Sequence, residues 1–345
     1  MTSQPPDFHL NRPGVLIAAL PAVLGFVPEK SLVLVTVDRG EMGCVMRVDL
    51  SDEVTASVEH IAEVAAGAEP DAAIAVIVDE AGANCRMCND DYRRLADSLA
   101  STLADCGIEL LAAHVVDRVA AGGRWHCADG CGLAGTVEDP AASPLAMAAV
   151  LDGRRLYARR AELQEVIAIA DPARTDALAA AIGSCDVDRP DAEVRRDVEA
   201  AIAAAADAAD GRALSDDTAA RLACALSDPL VRDTLFALAI GENAGQAESL
   251  WAELSRTLPA PWRVEALVLL AFSAYARGDG PLAGVSLDAA LRCDATHRMA
   301  GMLDTALQSG MRPERIRDLA ATGYRLASRL GVQLPARRAF GRRAG

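Results

Sequence analysis

Aromatic residues are scarce in this 345-residue chain, at 3% of positions. The chain therefore cannot be built around a few large rings. Its apolar fraction is 52%, carried by alanine and small aliphatics, so stability must come from many close contacts between elements. Lysine is nearly absent: Lys30 is the only one, and almost all positive charge is arginine. An excess of positive charge is lacking altogether. The formal net charge is −15, which excludes a body that holds nucleic acid or an anionic membrane surface by charge. Long apolar runs are missing as well. Val15 to Val27 is short and interrupted by Pro21 and Gly25, far from the ~18–20 residues that span a bilayer. Met1 to Pro13 is polar and shows no charged-then-apolar leader. The nine cysteines are odd in number and scattered, unlike the framework of a disulfide-stapled mini-domain. We expect a cytoplasmic protein with most thiols reduced. The one basic stretch is the end of the chain, with Arg337, Arg338, Arg342 and Arg343.

The hydrophobic rhythm divides the chain. Pro13 to Leu20 reads as a turn or two of helix stopped by Pro21. Ser31 to Val37 is a β-branched run typical of a strand buried on both faces, and Gly43 to Val48 returns after the turn residues Asp38-Arg39-Gly40-Glu41 as a hairpin. Glu53 to Ala66 has helical spacing with Asp52 as its cap. Ala72 to Val78 is a strand, Asp90 to Cys106 an amphipathic helix, Ile108 to Val116 a strand, and Arg124 to Cys127 an edge strand. This order predicts a mixed, mostly parallel sheet with one antiparallel hairpin. After about Pro140 every segment is helical. The expected organisation is an α/β domain over 1–140, an all-α domain over 141–335 and a basic tail over 336–345. Within the helical part, Val264 to Ala295 reads helix, Arg277-Gly278-Asp279 turn, helix. Leu270, Ala271, Gly278, Ala283, Ala290 and Leu291 fall where a tetratricopeptide-like hairpin places its packing residues. Leu267 and Ala295 stand where that repeat has an aromatic and a proline.

Several ordered motifs are shared with one family. Leu20-Pro21, Leu24-Gly25-Phe26-Val27-Pro28, Ser31-Leu32-Val33 and Arg47-Val48-Asp49-Leu50 are followed by Gly123-Arg124-Trp125 and Cys127. Arg160-Ala161-Glu162-Leu163, Ala220-Arg221-Leu222, Val231-Arg232-Asp233 and Leu270-Ala271-Phe272 with Arg277-Gly278-Asp279 come later. Together they resemble an actinobacterial family, domain of unknown function 4192. The resemblance spans most of the chain and carries no catalytic residue across. It implies a denser Cys/Pro cluster after the Trp motif than the Cys127 and Cys131 found here, which speaks against a metal.

Three constellations carry chemistry. Cys85-Arg86-Met87-Cys88 and His126-Cys127 with Cys131 supply two close thiol pairs. If their strand-end loops met, Cys85, Cys88, Cys127 and Cys131 would fill a tetrahedral Zn²⁺ shell. The first pair, just before a helix, also suits dithiol redox chemistry. The competing reading is that cysteine serves an alanine-rich core as a small apolar residue. Arg47 and Asp49 share a strand face, as do Arg124 and His126 with Trp125 opposite. Were the two strands neighbours, these residues would converge on an anionic ligand; otherwise they form an internal ion pair and an anchoring indole. Gly130-Cys131-Gly132-Leu133-Ala134-Gly135 matches a dinucleotide fingerprint literally. The residues Thr136 to Pro140 that follow are poor helix formers, which makes the match fortuitous. Arg160, Arg221, Arg232 and Asp233 sit on helices and are expected in structural ion pairs.

No complete reaction centre is visible. The leading expectation is a non-enzymatic interaction or ligand-binding module that uses its helical half to hold a protein partner. The alternatives are an enzyme or sensor for a small anionic ligand at the α/β half, and a structural zinc protein.

Overall fold

The computed structural model describes residues 12–51, 54–67, 69–151, 154–183 and 189–338. The expected cap Asp52 lies outside them, as do Arg342 and Arg343. The chain divides into two compact units, one up to Glu162 and one from Leu163 onward, apart from Gln308–Gly310, which group with the first.

The first unit is built on a six-stranded mixed sheet. Its strands are β1 (Ser31–Asp38), β2 (Glu41–Asp49), β3 (Ala72–Val78), β4 (Glu109–Val116), β5 (Arg124–Cys127) and β6 (Ala134–Thr136), in the order β2-β1-β3-β4-β5-β6. The hairpin turn between β1 and β2 uses Arg39 and Gly40, both at positive φ, as a two-residue hairpin loop requires. The expectation of mostly parallel pairing fails: β3 with β4 is the one parallel pair and the other four are antiparallel. The cause is where β1 sits. β2, the helix α2 (Val54–Ala66) and β3 form a crossover between strands of the same direction, but β1 is wedged between them and pairs antiparallel with both. Nor is β5 an edge, because β6 pairs along its outer side.

Strand parity assigns the faces. Leu32, Leu34, Ala73, Ala75, Ile77 and Val115 form one core with Val58 and Ile61 of α2 and with Leu99 and Leu103 of α3 (Arg86–Asp105). Their neighbours Val33, Val35, Val76 and Val116 point the other way and are fully buried too. On that second face runs α1 (Pro13–Leu24). At one end, a side chain at Gly14 would collide with the Thr136 carbonyl; at the other, Phe26 lies under the Arg47 guanidinium, 5.9 Å from ring centre to charge. Pro21 does not stop α1, which continues to Leu24 and ends on Gly25 in the left-handed region. Burial of Leu16, Ile17 and Leu20 outweighs the one helical hydrogen bond that proline omits. α4 (Pro144–Leu151) packs beside α1.

The second unit contains helices only; among the described residues, no named strand follows Thr136. After α5 (Arg160–Glu165) come α6 (Pro172–Ala181), α7 (Asp191–Ala209), α8 (Asp216–Leu226), α9 (Pro229–Leu235), α10 (Ala244–Thr257), α11 (Arg263–Arg277), α12 (Gly280–Cys293), α13 (Arg298–Gln308) and α14 (Pro313–Leu330). Few rings are available and they are spent at the centre: Trp251 is fully buried, and Phe236 stacks on Phe272 at 4.2 Å. Gly278, at φ 87°, ends α11, and Asp279 caps α12 by accepting from the Leu282 N–H. Arg277-Gly278-Asp279 is thus a helix–helix turn. Arg277 pairs with both Glu248 (2.7 Å) and Asp279 (3.1 Å), and Arg232 with Asp233 (2.9 Å) and Glu265 (3.3 Å). Arg160 and Arg221 are not among the described ion pairs. The start of the basic tail folds back: Arg337 bridges to Gly241 and covers the Tyr324 ring at 4.6 Å.

Candidate metal centre

The two polar strand pairs do not meet. Arg47 and Asp49 lie on β2, Arg124 and His126 on β5, four strand spacings apart, or roughly 19 Å. They also project to opposite faces. Arg47 faces α1, where it pairs with Asp49, donates to Ser31 Oγ at 2.8 Å and is nearly buried. His126 faces α3, where its Nε2 meets Asn89 Oδ1 at 3.0 Å. Burial lowers the His126 pKa, so the neutral ring donates from Nε2 to that amide oxygen. Arg124 is exposed, and its N–H and carbonyl hold the turn made by Asp117. Trp125 lies on the α1 side, edge-on to His114 at 5.2 Å between ring centres. An indole here anchors α1 against β5 and β6.

The four cysteines do not assemble either. Cys85 and Cys88 begin α3, with Cys88 packed on the core of the α3 face. Cys127 stands opposite His114 in the β4–β5 register and so belongs to the other face. A shell of Cys85, Cys88, Cys127 and Cys131 is therefore not formed, because sheet parity sends the two pairs apart.

A different cluster takes its place. Sγ of Cys127, a carboxylate oxygen of Asp129 and Sγ of Cys131 all lie within 4.8 Å of one another. The local sequence causes this. Asp129 accepts from the Cys131 N–H at 2.9 Å, closing a tight turn, and Gly130 and Gly132 take positive φ on either side of Cys131. The same glycines lead into β6 rather than a helix, so the dinucleotide fingerprint has no helix N-terminus to work with. From β4, His114 aims Nδ1 at Cys127 Sγ, 3.6 Å away, while standing outside the set of three mutually close ligand atoms. In a tetrahedral zinc site, Zn–S of ~2.3 Å and Zn–N of ~2.0–2.1 Å put sulfur and nitrogen about 3.6 Å apart.

The electrostatics suit a cation. Burial pushes the His114 pKa down to about 4, against a smaller upward pull from Asp129. Its ring is neutral at pH 7, the form that ligates. Desolvation, then hydrogen bonding and repulsion from Cys131 and Asp129, push the Cys127 thiol up to about 12. The Asp129 carboxyl is held low, first by the Cys131 N–H.

Cys127 and Cys131 were visible from sequence as a looser pair; Asp129 and His114 were not singled out. The available signal was the alternation Cys127-x-Asp129-x-Cys131 around Gly130. His114 carried none, since a histidine in an apolar strand reads as a core residue.

Fold and site together define a class: a mixed α/β sheet unit with a thiol- and carboxylate-bearing hairpin beside a histidine of the neighbouring strand, joined to an all-helical unit. The chain belongs to the family described as Domain of unknown function (DUF4192), which matches residues 13–314. No curated protein and no solved structure matches it. Among the described residues, seven cysteines are free thiols and Cys224 is disulfide-bonded. Among the described residues, no helix is long and apolar enough to cross a membrane.

Proposed function

We propose that the sheet unit is a metal-binding module, with the ion held by Cys127, Asp129 and Cys131 and with His114 as the fourth donor. One observation carries this reading: three ligand atoms from a five-residue turn lie within 4.8 Å of one another, beside an imidazole nitrogen from a neighbouring strand. Two thiolates and an imidazole select a thiophilic four-coordinate ion, Zn²⁺ rather than Mg²⁺ or Ca²⁺. With four protein donors no open position is left for a substrate, so the ion's work is structural: it fastens the Cys127–Cys131 turn to β4. The reading keeps zinc from the sequence-based alternatives and replaces Cys85 and Cys88 by Asp129 and His114.

The test is metal analysis of full-length protein purified without chelators, then dialysed against zinc. One zinc per chain is expected, lost in Cys127→Ser and in Cys131→Ser and kept in Cys85→Ser. Metal-free wild-type protein after zinc loading would overturn the reading. So would a zinc content indifferent to both Cys127 and Cys131.

A protein partner for the helical unit is the second reading, supported by the exposed Met302, Met311 and Leu319 on and between α13 and α14. Gentle affinity capture followed by mass spectrometry tests it; with no stoichiometric partner recovered, that reading falls.

A further inference from the structure

The thiol pair that the metal site leaves out has a geometry of its own. Cys85 is the N-cap of α3, with extended backbone (φ −92°, ψ 121°), and α3 runs for 20 residues from Arg86. An N-cap side chain stands over the N–H groups of the second and third helical residues, and the third residue's side chain reaches back toward the cap. Here those residues are Met87 and Cys88, so the two thiols stand together on the first turn of one helix. No capping side chain takes up the first-turn N–H groups, which leaves these donors and the positive end of the helix dipole facing the Cys85 sulfur. The Cys88 thiol and then the N–H groups of Cys88 and Met87 pull the Cys85 pKa below the usual thiol value, against desolvation and Asp91. The Cys88 pKa moves upward, first through its hydrogen bond to Cys85.

The surroundings separate the roles of the two thiols. Both are free and only partly covered, and Met87 between them is 77% exposed. Access comes from that side, while Cys88 is backed by the core of the α3 face. The preceding loop packs closely at Gly82: a side chain there would strike the Tyr92 hydroxyl and the Asp79 carboxylate, and that hydroxyl donates to Asp79. The pair follows the C-terminal end of β3, the strand that forms the parallel pair with β4. Loops at the C-terminal ends of parallel strands are where α/β sheets place reactive groups.

We infer that Cys85 and Cys88 form a two-electron thiol–disulfide exchange site for small disulfides, with Cys85 attacking and Cys88 resolving. The Cys85 thiolate attacks one sulfur of a disulfide R–S–S–R, which forms Cys85–S–S–R and expels one R–S⁻. Cys88 then gives its proton to solvent, and its thiolate attacks the Cys85 sulfur. That closes the Cys85–Cys88 disulfide and expels the second R–S⁻. Two protein thiols are oxidised, one small disulfide is reduced to two thiols, and no other reactant is needed. The site is independent of the metal proposal and shares no residue with it.

The probe is oxidised glutathione against fully reduced, full-length protein with a zinc chelator present, quenched in acid, alkylated and mapped by peptide mass spectrometry. The expected wild-type product is an internal Cys85–Cys88 disulfide that dithiothreitol reverses. Cys88→Ser should stop at one glutathione on Cys85. Cys85→Ser should slow capture at Cys88 by about tenfold or more, since the attacking thiol is lost. The same Cys85–Cys88 product should form in a Cys127→Ser/Cys131→Ser background, whether or not that background binds metal. In unsubstituted protein, which needs no variant to fold, limiting iodoacetamide should label Cys85 severalfold faster than the exposed Cys106. Equal labelling of Cys85 and Cys106 overturns the inference, as does a Cys88→Ser protein that accumulates no adduct at Cys85.

Discussion

The backbone of Gly135 lies directly against the indole of Trp125: a methyl group at Gly135 would meet three atoms of the ring at 3.0 Å each. The ring is held from other sides by His114 and by the start of α1 near Gly14, so it has little room to yield. Gly135→Ala is expected to destabilise the protein by about 1–3 kcal/mol, the usual cost of overpacking. Gly301, inside α13, has nothing within 4 Å of the corresponding position. There Gly301→Ala should stabilise by about 0.5–1 kcal/mol through helix propensity alone. Urea titration of the two variants checks both signs, and equal effects would refute the packing account.

Zinc should act as a folding ligand. At a free concentration about a hundredfold above its dissociation constant, it should add about 2.7 kcal/mol to the wild-type protein. Cys131→Ser should show no such increment. Thermal melts with and without zinc, in the presence of a thiol reductant, provide the comparison.

His114 makes the metal-free protein sensitive to acid. Its pKa is depressed from 6.5 to about 4 by burial, so between those values the unfolded chain takes up a proton that the folded chain refuses. Stability is therefore full above about pH 7, falls as pH drops from about 6.5 to about 4, and loses no more from this group below that. The loss is on the order of 3 kcal/mol, because each tenfold difference in proton affinity between the folded and unfolded chains is worth about 1.4 kcal/mol. In chelator, the slope of stability against pH over this window should be smaller in His114→Gln than in wild type. An unchanged slope would show that His114 is not the group responsible.

Arg277 holds two carboxylates in the helical unit, Glu248 and Asp279, each largely covered. Arg277→Met leaves both unpaired and should cost about 3 kcal/mol. Combining it with Glu248→Leu should recover part of that loss, because one uncompensated charge is removed. A double variant worse than the single by the full effect of Glu248→Leu would mean the pair is not coupled.

Five of the six strands and the change to helices near residue 140 were legible from apolar rhythm, because burial on both faces leaves runs such as Leu32 to Val37; β6, three small or polar residues long, carries no such rhythm. Strand order was not. Nothing in an apolar run states its neighbour, and β1 between β2 and β3 turned an expected parallel sheet into a mostly antiparallel one. Parity correctly placed Arg124 with His126 and Arg47 with Asp49, but only the sheet order reveals that the pairs are far apart and on opposite faces. The same register carried Cys127 away from Cys88 and toward His114. Pro21 misled for a different reason: in a three-turn helix whose apolar side chains are buried, packing outweighs one missing hydrogen bond.

The wedged position of β1 bears on how the chain matures. As it emerges during synthesis, β1 can zip to β2 at once, since only a tight turn separates them. Its opposite edge has no mate until β3 has been made, past the whole of α2. For that interval the largely apolar β1 presents open backbone donors and acceptors along one edge, the kind of surface that recruits neighbouring nascent chains. Yield at high expression should therefore be governed by how quickly β3 is delivered, more than by the stability of the finished sheet.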